Sequence, residues 1–501
     1  MITLATLNAR YIHTAFGLRY LYANLGELQA QTVMREFTIH EMPLNIAEKL
    51  LSDQPTIIGI SVYIWNVREV TELVGVLKQI APQVKIVLGG PEVSHPPDLP
   101  DVAELADYVI TGPGELSFRQ LCEQLLQGQK PLNRIISGVS VPLDQLQLPY
   151  QFYLEEDLAN RITYVEASRG CPFKCEFCLS ALDKTAKPFE LGAFLDEMDS
   201  LYQRGARNFK FIDRTFNLKV KTSVAILEFF LERMDEDLYL HFEVIPDNLP
   251  DALKDMLKRF PPNRLQFEIG VQTFDPQIQD LISRRQDNDK TIKNLLWLRE
   301  HTGAHLHTDL IFGLPGDTLE NFGKSFDQLA LLRPQEIQLG ILKRLRGAPI
   351  NRHSEDYQLR YNPHPPYNIL STRDIDFSTM QRVNRLARYW DMIANSGRFT
   401  VSLPVILGDQ PFVRFLALSD ALYIASNSTW KINLQRLFDL IHVVSTDVLV
   451  LDKAELEAAL LEDYQRSGQK GEPAFVKQKA VVTGKKMGKG TANKRQQLHN
   501  Q

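Results

Sequence analysis

Cysteine is scarce in this chain, with four in 501 residues. So few thiols exclude a disulfide framework and fit a reducing compartment. No apolar run approaches the roughly 18–20 residues that a helical membrane span needs. The N-terminus, MITLATLNARYIHTAFG, lacks a basic stretch ahead of its apolar residues and reads as a first strand, not a signal peptide. A cytoplasmic location with no membrane partner is the resulting expectation. Charge of one sign is not in excess either: the formal net charge is −5, with 44% hydrophobic and 23% charged residues. That balance calls for no nucleic-acid partner. Two nucleotide signatures are missing as well, since no G-x-G-x-x-G follows the first strand and no P-loop pattern occurs. A chain of this length exceeds the usual single domain, so two to four domains are expected.

What is present is concentrated. Three of the four cysteines fall in ASRGCPFKCEFCLS (167–180) as C-x3-C-x2-C: Cys171, Cys175 and Cys178. A disulfide would use only two of them, and a C-x3-C pairing is geometrically awkward. Structural zinc takes four ligands, commonly from two knuckle pairs; here no second pair follows, and the next histidine is His241. An iron–sulfur cubane normally takes four thiolates, so three would leave one iron open to a small molecule. Cys122 sits in LSFRQLCEQLL with Phe118, Leu121 and Leu125 at helical spacing, which reads as a buried free thiol.

Gly170 before the first cysteine, Phe177 before the last, and the charges of Arg169 and Lys174 complete a motif that resembles the radical S-adenosylmethionine (radical SAM) superfamily. The resemblance implies a 4Fe-4S cluster on Cys171, Cys175 and Cys178, whose open iron binds the methionyl end of SAM. An electron from the cluster cleaves SAM to a 5′-deoxyadenosyl radical. An electron donor such as flavodoxin or ferredoxin is then an implied partner. Strand-like runs at 162–168, 208–213, 239–245, 264–272, 305–313 and 336–342 alternate with amphipathic stretches. Six βα units over 161–350 predict a partial (β/α)6 barrel, with active residues at the carboxyl ends of its strands. Residues at those ends carry the implied SAM contacts: Phe177 in the motif, Asp213 in FIDRTFN, Glu243, Gln272 in GVQTFD, and Ile311 and Gly313 in DLIFGLPGDT.

The N-terminal region has its own rhythm. Strand candidates at 2–8, 36–42, 56–64, 85–90 and 108–115 alternate with helical stretches, which predicts a doubly wound, flavodoxin-like domain with its ligand beyond the carboxyl ends of the strands. Placed before a radical SAM core, it resembles the cobalamin-binding domain of the cobalamin-dependent radical SAM class. The resemblance implies cobalamin contacts at Ser61, Gly89, Gly90, Gly112, Gly114 and Glu115. In many cobalamin proteins D-x-H-x-x-G supplies a histidine to cobalt; here NARYIHTAFG keeps His13 but has Tyr11 for the Asp and Phe16 for the Gly. His13 reads as an ordinary loop histidine.

The expected organisation is therefore α/β: a cobalamin-binding-type domain over 1–132, a linker over 133–160, the radical SAM core over 161–350, a mainly helical domain over 351–465 and a basic disordered tail over 466–501. From Lys477 to Arg495 the tail has seven Lys or Arg and no acidic residue. The helical piece resembles an uncharacterised C-terminal domain found in one branch of the class. The implied activity is cobalamin-dependent radical chemistry, methyl transfer being its commonest form, on a substrate that the sequence does not name. Two alternatives are a radical SAM methylthiotransferase acting on RNA or protein, which would carry further N-terminal cysteines, and a non-catalytic cobalamin or redox sensor.

Overall fold

β1 (Ile2–Asn8) is buried at all seven positions, as a strand covered on both faces of a parallel sheet must be. In the computed structural model of the chain, which describes residues 1–476, β1 lies between β2 (Thr32–Thr38) and β3 (Ile57–Ser61). Then come β4 (Lys85–Gly89), β5 (Tyr108–Thr111) and β6 (Ile135–Ser137). The sheet runs β2-β1-β3-β4-β5-β6 and is parallel throughout, the doubly wound, flavodoxin-like order. Helices α1 (Phe16–Ala23), α2 (Pro43–Ser52), α3 (Val67–Ile80), α4 (Val102–Leu105) and α5 (Glu115–Leu126) make the connections. Ile46, Leu50, Val70 and Leu77 pack with Ile58, Ile60 and Leu88 in one core. Leu18, Phe118 and Leu121 pack with Leu4 and Val87 in the other. Cys122 belongs to that second core, and burial pushes its thiol up to about 12.

Two local expectations need correction. The second strand covers 32–38 and not 36–42: the Ile39 amide makes the last bond to β1, at the Asn8 carbonyl (3.0 Å), and the Glu41 carboxylate accepts the Thr38 amide at 3.0 Å as the chain turns away. Pro43 then opens α2. The stretch read as linker, 133–160, contains β6, which pairs in register with β5, and α6 (Glu155–Asn160). β6 is short and mostly exposed, so it carries no periodic signal. Gly138 lets the chain leave β6 against the 111–113 loop, where a Cβ would lie 2.0 Å from the Pro113 carbonyl.

The second sheet is β7 (Thr163–Val165), β10 (Asn208–Phe211), β11 (Tyr239–Val244), β12 (Leu265–Gln272), β13 (His305–Phe312) and β14 (Glu336–Ile341), all parallel and in sequence order. The small pair β8 (Ser168–Arg169) and β9 (Lys187–Pro188) lies between β7 and β10. Outside run α7 (Leu191–Gln203), α8 (Val220–Glu232), α9 (Asp251–Leu257), α10 (Pro276–Leu281), α11 (Asn288–His301) and α12 (Leu319–Leu331). Glu190, Asp275, Asp287 and Thr318 accept backbone amides at the starts of α7, α10, α11 and α12, which satisfies donors that a helix leaves free. This is the partial (β/α)6 barrel.

Two of its central strands alternate strictly. In β12 and β13 every second residue is buried, and those residues, with Phe209, Phe211 and Phe242, form the apolar layer beneath the helices. The inner face is polar instead. Lys210 Nζ lies 3.2 Å from Glu268, His241 Nε2 3.1 Å from the same carboxylate, and His307 Nδ1 2.8 Å from Glu336. A closed eight-stranded barrel packs this space with branched aliphatic side chains; here it is left polar.

The chain divides into two units, Met1–Gln381 and Arg382–Gln501. Residues 351–381 therefore group with the barrel, and not with the helical unit expected to begin at 351. α13 (Phe377–Trp390) runs across the division, and α14 (Ser402–Leu407), α15 (Pro411–Ser426), α16 (Leu434–Asp447) and α17 (Lys453–Arg466) follow. In the second unit buried Asp463 accepts the Ser402 amide at 2.8 Å and its hydroxyl at 2.7 Å. That ties the start of α14 to α17. The basic stretch from Lys477 onward lies outside the described residues.

Inside the first unit a ring of four charges joins the doubly wound domain to the barrel. Arg19 on α1 bonds Glu36 at 2.7 Å and Asp157 at 2.6 Å, and Arg161 bonds the same two carboxylates at 2.7 and 2.8 Å. Burial by itself raises the Glu36 and Asp157 carboxyls, but the two guanidiniums outweigh it and hold both below their usual range. A carboxyl whose folded value is depressed stabilises the fold above its unfolded value, about 4, and that stability is lost as pH falls through the folded value. The part of the urea midpoint that these two carboxyls hold is accordingly expected to be unchanged from pH 7 to pH 6 and to be lost below about pH 4. A midpoint that does not move on acidification would contradict this assignment.

Candidate functional site

The cysteine loop leaves β8 and returns through β9. Gly170 enters it at φ +93°, where a Cβ would sit 2.4 Å from the Thr185 carbonyl. Glycine alone is comfortable in that conformation and space. The Cys171 amide bonds the Asp183 carbonyl at 3.0 Å. Glu176 fastens the middle: its carboxylate accepts Ser283 Oγ at 2.6 Å and Arg352 Nη2 at 2.6 Å, and lies 3.0 Å from His353 Nε2. Cys171 and Cys175 are buried and Cys178 is half-buried, and all three are free thiols. Among the described residues, no three ligand-type side chains converge on a single ion position. Arg284 Nη1 lies 3.5 Å from Cys175 Sγ and its other nitrogen bonds the Gly270 carbonyl. The Arg284 charge opposes the rise that burial imposes on the Cys175 thiol.

A pocket of about 270 Å³ opens beside the thiols. Of the implied SAM contacts, Phe177, Glu243 and Gln272 line it together with all three cysteines. Glu243 receives both hydrogen bonds from Arg214 Nη1, at 2.6 and 2.9 Å. Gln272 adopts φ +69° and holds its side-chain carbonyl buried without a hydrogen-bond partner. Such strain and an unmet acceptor are the pattern of a ligand-holding residue.

Three implied contacts are elsewhere. Asp213 faces away from the thiols, with its carboxylate accepting the Ala167 amide at 2.9 Å and Ser168 Oγ at 2.6 Å. Burial pushes that carboxyl up to about 7. The reason is strand parity: Phe209, Phe211 and Asp213 share the outward side of this strand, so the next residue, Arg214, is the one that enters the pocket. Ile311 lies two residues beyond Asp309 on the inner face of β13, outside the set that lines the pocket. Gly313, at φ +90°, gives its space to packing, since a Cβ there would meet Ile369 at 2.8 Å. The sequence reading missed Arg214, Glu268, Arg284 and Asp309, all of which line the pocket. For Asp309 the signal existed, because it shares the alternation of β13 with Ile311. Arg284 follows α10 in a loop, and no spacing points to it.

A larger cavity of about 720 Å³ lies beyond the carboxyl ends of the first sheet. Ser61, Gly89, Gly90, Gly112, Gly114 and Glu115 all line it. Gly90 (φ +105°) lets the loop after β4 press on Val62, and a Cβ at Gly112 (φ +71°) would meet nothing within 4 Å. The backbone there lies bare toward the cavity, a cradle that side chains would fill. The cavity also reaches Tyr164, Glu166, Arg169 and Ile212 of the barrel. Arg169, two residues before Cys171, bonds Glu166 at 3.0 Å and Glu115 at 2.8 Å and stacks on Tyr20. His13 lines the cavity too, with Nδ1 2.7 Å from the Tyr164 hydroxyl, so it is more than a loop histidine in solvent.

Comparison with known proteins gives three matched regions. Residues 165–329 match the Radical SAM superfamily, residues 2–122 the B12 binding domain, and residues 355–501 a protein family of unknown function, DUF4080. The barrel therefore matches the Radical SAM superfamily and the doubly wound domain before it matches the B12 binding domain. An uncharacterised methyltransferase of Pyrococcus horikoshii is 25% identical over 61% of this chain and 70% of its own length. The cobalamin-dependent radical SAM methyltransferase TokK of Streptomyces tokunonensis is 25% identical over 63% of this chain and 51% of its own. The chain thus spans only about half of the second relative. Among solved structures, the cobalamin-dependent S-adenosylmethionine radical enzyme OxsB with aqua-cobalamin bound shares the fold, at a TM-score of 0.63 and 15% identity over 93% of this chain and 84% of that one.

Proposed function

We propose that this radical SAM protein is a cobalamin-dependent methyltransferase that holds a 4Fe-4S cluster on Cys171, Cys175 and Cys178. The observation that carries the reading is that a three-thiol pocket and a 720 Å³ cavity open onto the same barrel. When bound, the cluster and SAM supply a 5′-deoxyadenosyl radical and cobalamin carries the methyl group. The residues of the chain do the positioning. Glu243 and Gln272 present acceptors to the amino and ribose groups of SAM, and Arg214 and Arg284 offer guanidiniums to its carboxylate. Ser61, Gly89, Gly90, Gly112, Gly114 and Glu115 shape the corrinoid site. Lys210, on β10 two residues before Ile212 at the corrinoid cavity, bonds Glu268 at the cluster pocket. A substrate lying between the two cofactors would meet this polar pair.

A methylthiotransferase needs a second set of cluster ligands, and Cys122, the remaining thiol, lies in a hydrophobic core. Anaerobic reconstitution tests the proposal through iron, sulfide and cobalamin content and 5′-deoxyadenosine formation. Gly112→Leu should fill the corrinoid cavity and lower cobalamin affinity by about tenfold or more, which is about 1.4 kcal/mol, while iron content stays unchanged. Corrin absorbance per chain measures this, with far-ultraviolet circular dichroism checking the fold. Full retention of cobalamin by the leucine variant would move the corrinoid elsewhere.

A further inference from the structure

The near-neutral total charge conceals an asymmetry. Residues 1–381 carry 39 Lys or Arg against 50 Asp or Glu, whereas the second unit, residues 382–501, carries 17 against 11. A reversal of sign between two parts of one chain is the compositional footprint of a polyanionic partner. The helices of that unit add a shaped surface. Arg382, Arg385 and Arg388 follow at three-residue spacing on α13 and so are neighbours on its surface. Arg382 pairs with Asp420 at 2.6 Å. Arg385 and Arg388 have no carboxylate partner among the described residues, and the Nε of each is buried without a hydrogen bond. Their guanidiniums lie instead over aromatic rings, Arg385 over Tyr423 at 4.5 Å and Arg388 over Trp430 at 3.8 Å. Trp430 is 65% exposed, yet its loop is tied down. The Trp430 amide donates to Ser428 Oγ at 3.0 Å, and the Ser428 carbonyl accepts the Tyr389 hydroxyl at 2.9 Å. Lys431 beside it is exposed at φ +55°, a left-handed conformation that costs a lysine energy and collects at ligand-binding sites.

We propose that this face of the second unit binds single-stranded RNA. Arg388 covers one face of Trp430, and the exposed indole offers the other to an unpaired base. Arg385, Arg388 and Lys431 present N–H donors to the flanking phosphates. The ring selects the occupant. A phosphorylated peptide would satisfy the cations and leave the indole in water. An anionic bilayer calls for a broad apolar face, whereas this one is lined by arginines. Duplex nucleic acid keeps its bases paired and stacked, but the loops and ends of RNA supply a phosphate and an open base together. The stretch from Lys477 to Arg495, with seven Lys or Arg and no acidic residue, belongs to the same unit and adds long-range attraction. None of Arg385, Arg388, Tyr423, Trp430 and Lys431 lines the thiol pocket or the corrinoid cavity, so the proposal stands apart from the reaction assigned to the barrel.

The test uses the reconstituted full chain and a short fluorescein-labelled single-stranded RNA of mixed sequence, followed by anisotropy. Affinity should fall linearly with added KCl on logarithmic axes. The double variant Arg385→Gln, Arg388→Gln should lower that slope by roughly 1.4, the share of two phosphate contacts on a single strand. Trp430→Ala should weaken binding about tenfold, while Trp430→Phe, which keeps a ring, should retain most of the affinity. Circular dichroism should show the fold unchanged in all three. Quenching of indole emission by RNA, diminished in Trp430→Phe, reports the stacking itself. A wild-type chain that leaves the RNA unbound at low salt overturns the proposal. Undiminished binding by Trp430→Ala does so too, since the attraction would then lie in the basic stretch alone. Duplex RNA, heparin or phosphatidylserine vesicles competing as well as the single strand, at equal charge, would mean that the surface reads charge only, and tighter binding of DNA of the same sequence would remove RNA as the occupant.

Discussion

Replacing Cys175 by Ala is expected to take the reconstituted protein from about four irons per chain to near none, and 5′-deoxyadenosine formation is expected to fall below detection. The size of the effect follows from the geometry. The chain supplies three thiolates from a single loop, so losing one leaves two, and Glu176, the carboxylate beside Cys175 in that loop, is committed to Ser283 and Arg352. Cys122→Ala is the control. Its thiol is fully buried in an apolar core, so the change should leave iron content alone and cost only a small cavity, roughly 1 kcal/mol. Iron and sulfide assays with electron paramagnetic resonance of the reduced protein separate the two variants. Retention of four irons in the Cys175 variant would mean that another group closes the cluster, and the open corner for SAM would be gone.

The second large effect is on stability. Arg19→Met should destabilise the first unit by about 3–5 kcal/mol, because breaking a buried ion network strands its remaining charges. The Arg19 side chain is 3% exposed and bridges Glu36 and Asp157. Without it Arg161 alone faces two buried carboxylates. Both then rise toward protonation, so the variant should also lose the acid sensitivity expected of the wild type. Urea unfolding at pH 7 and pH 4 measures both effects. A loss under 1 kcal/mol, as for an exposed pair, would mean that the ring contributes little to holding the two α/β domains together.

The sites read from the sequence fared differently according to how local their signals were. That Cys171, Cys175 and Cys178 line one pocket was legible because they share a short loop, and spacing within eight residues is a property of the chain itself. That six glycine, serine and glutamate positions share the larger cavity was legible because parallel strands end along one edge, and strand ends show in the sequence as apolar runs giving way to glycine. Asp213 does not line the thiol pocket, and its neighbour Arg214 does. In a strand one residue is the difference between the inner and outer face, so parity with Phe209 and Phe211 would have pointed to Arg214. β6 escaped because three exposed residues carry no pattern.

By itself the sequence determined the chemistry available: three clustered thiols, two alternations of strand and helix, and a chain without a second set of cluster ligands. These are features of composition and of spacing over a few residues, which survive without knowledge of the fold. Only the tertiary structure decided which side chains meet. It brought Arg284 from a loop after α10 to Cys175, paired Arg214 with Glu243, and joined Arg19 to Asp157 across the domain junction. Such pairings join residues up to 138 positions apart. Their partners are chosen by the packing of whole sheets, and no local pattern in the chain records that choice.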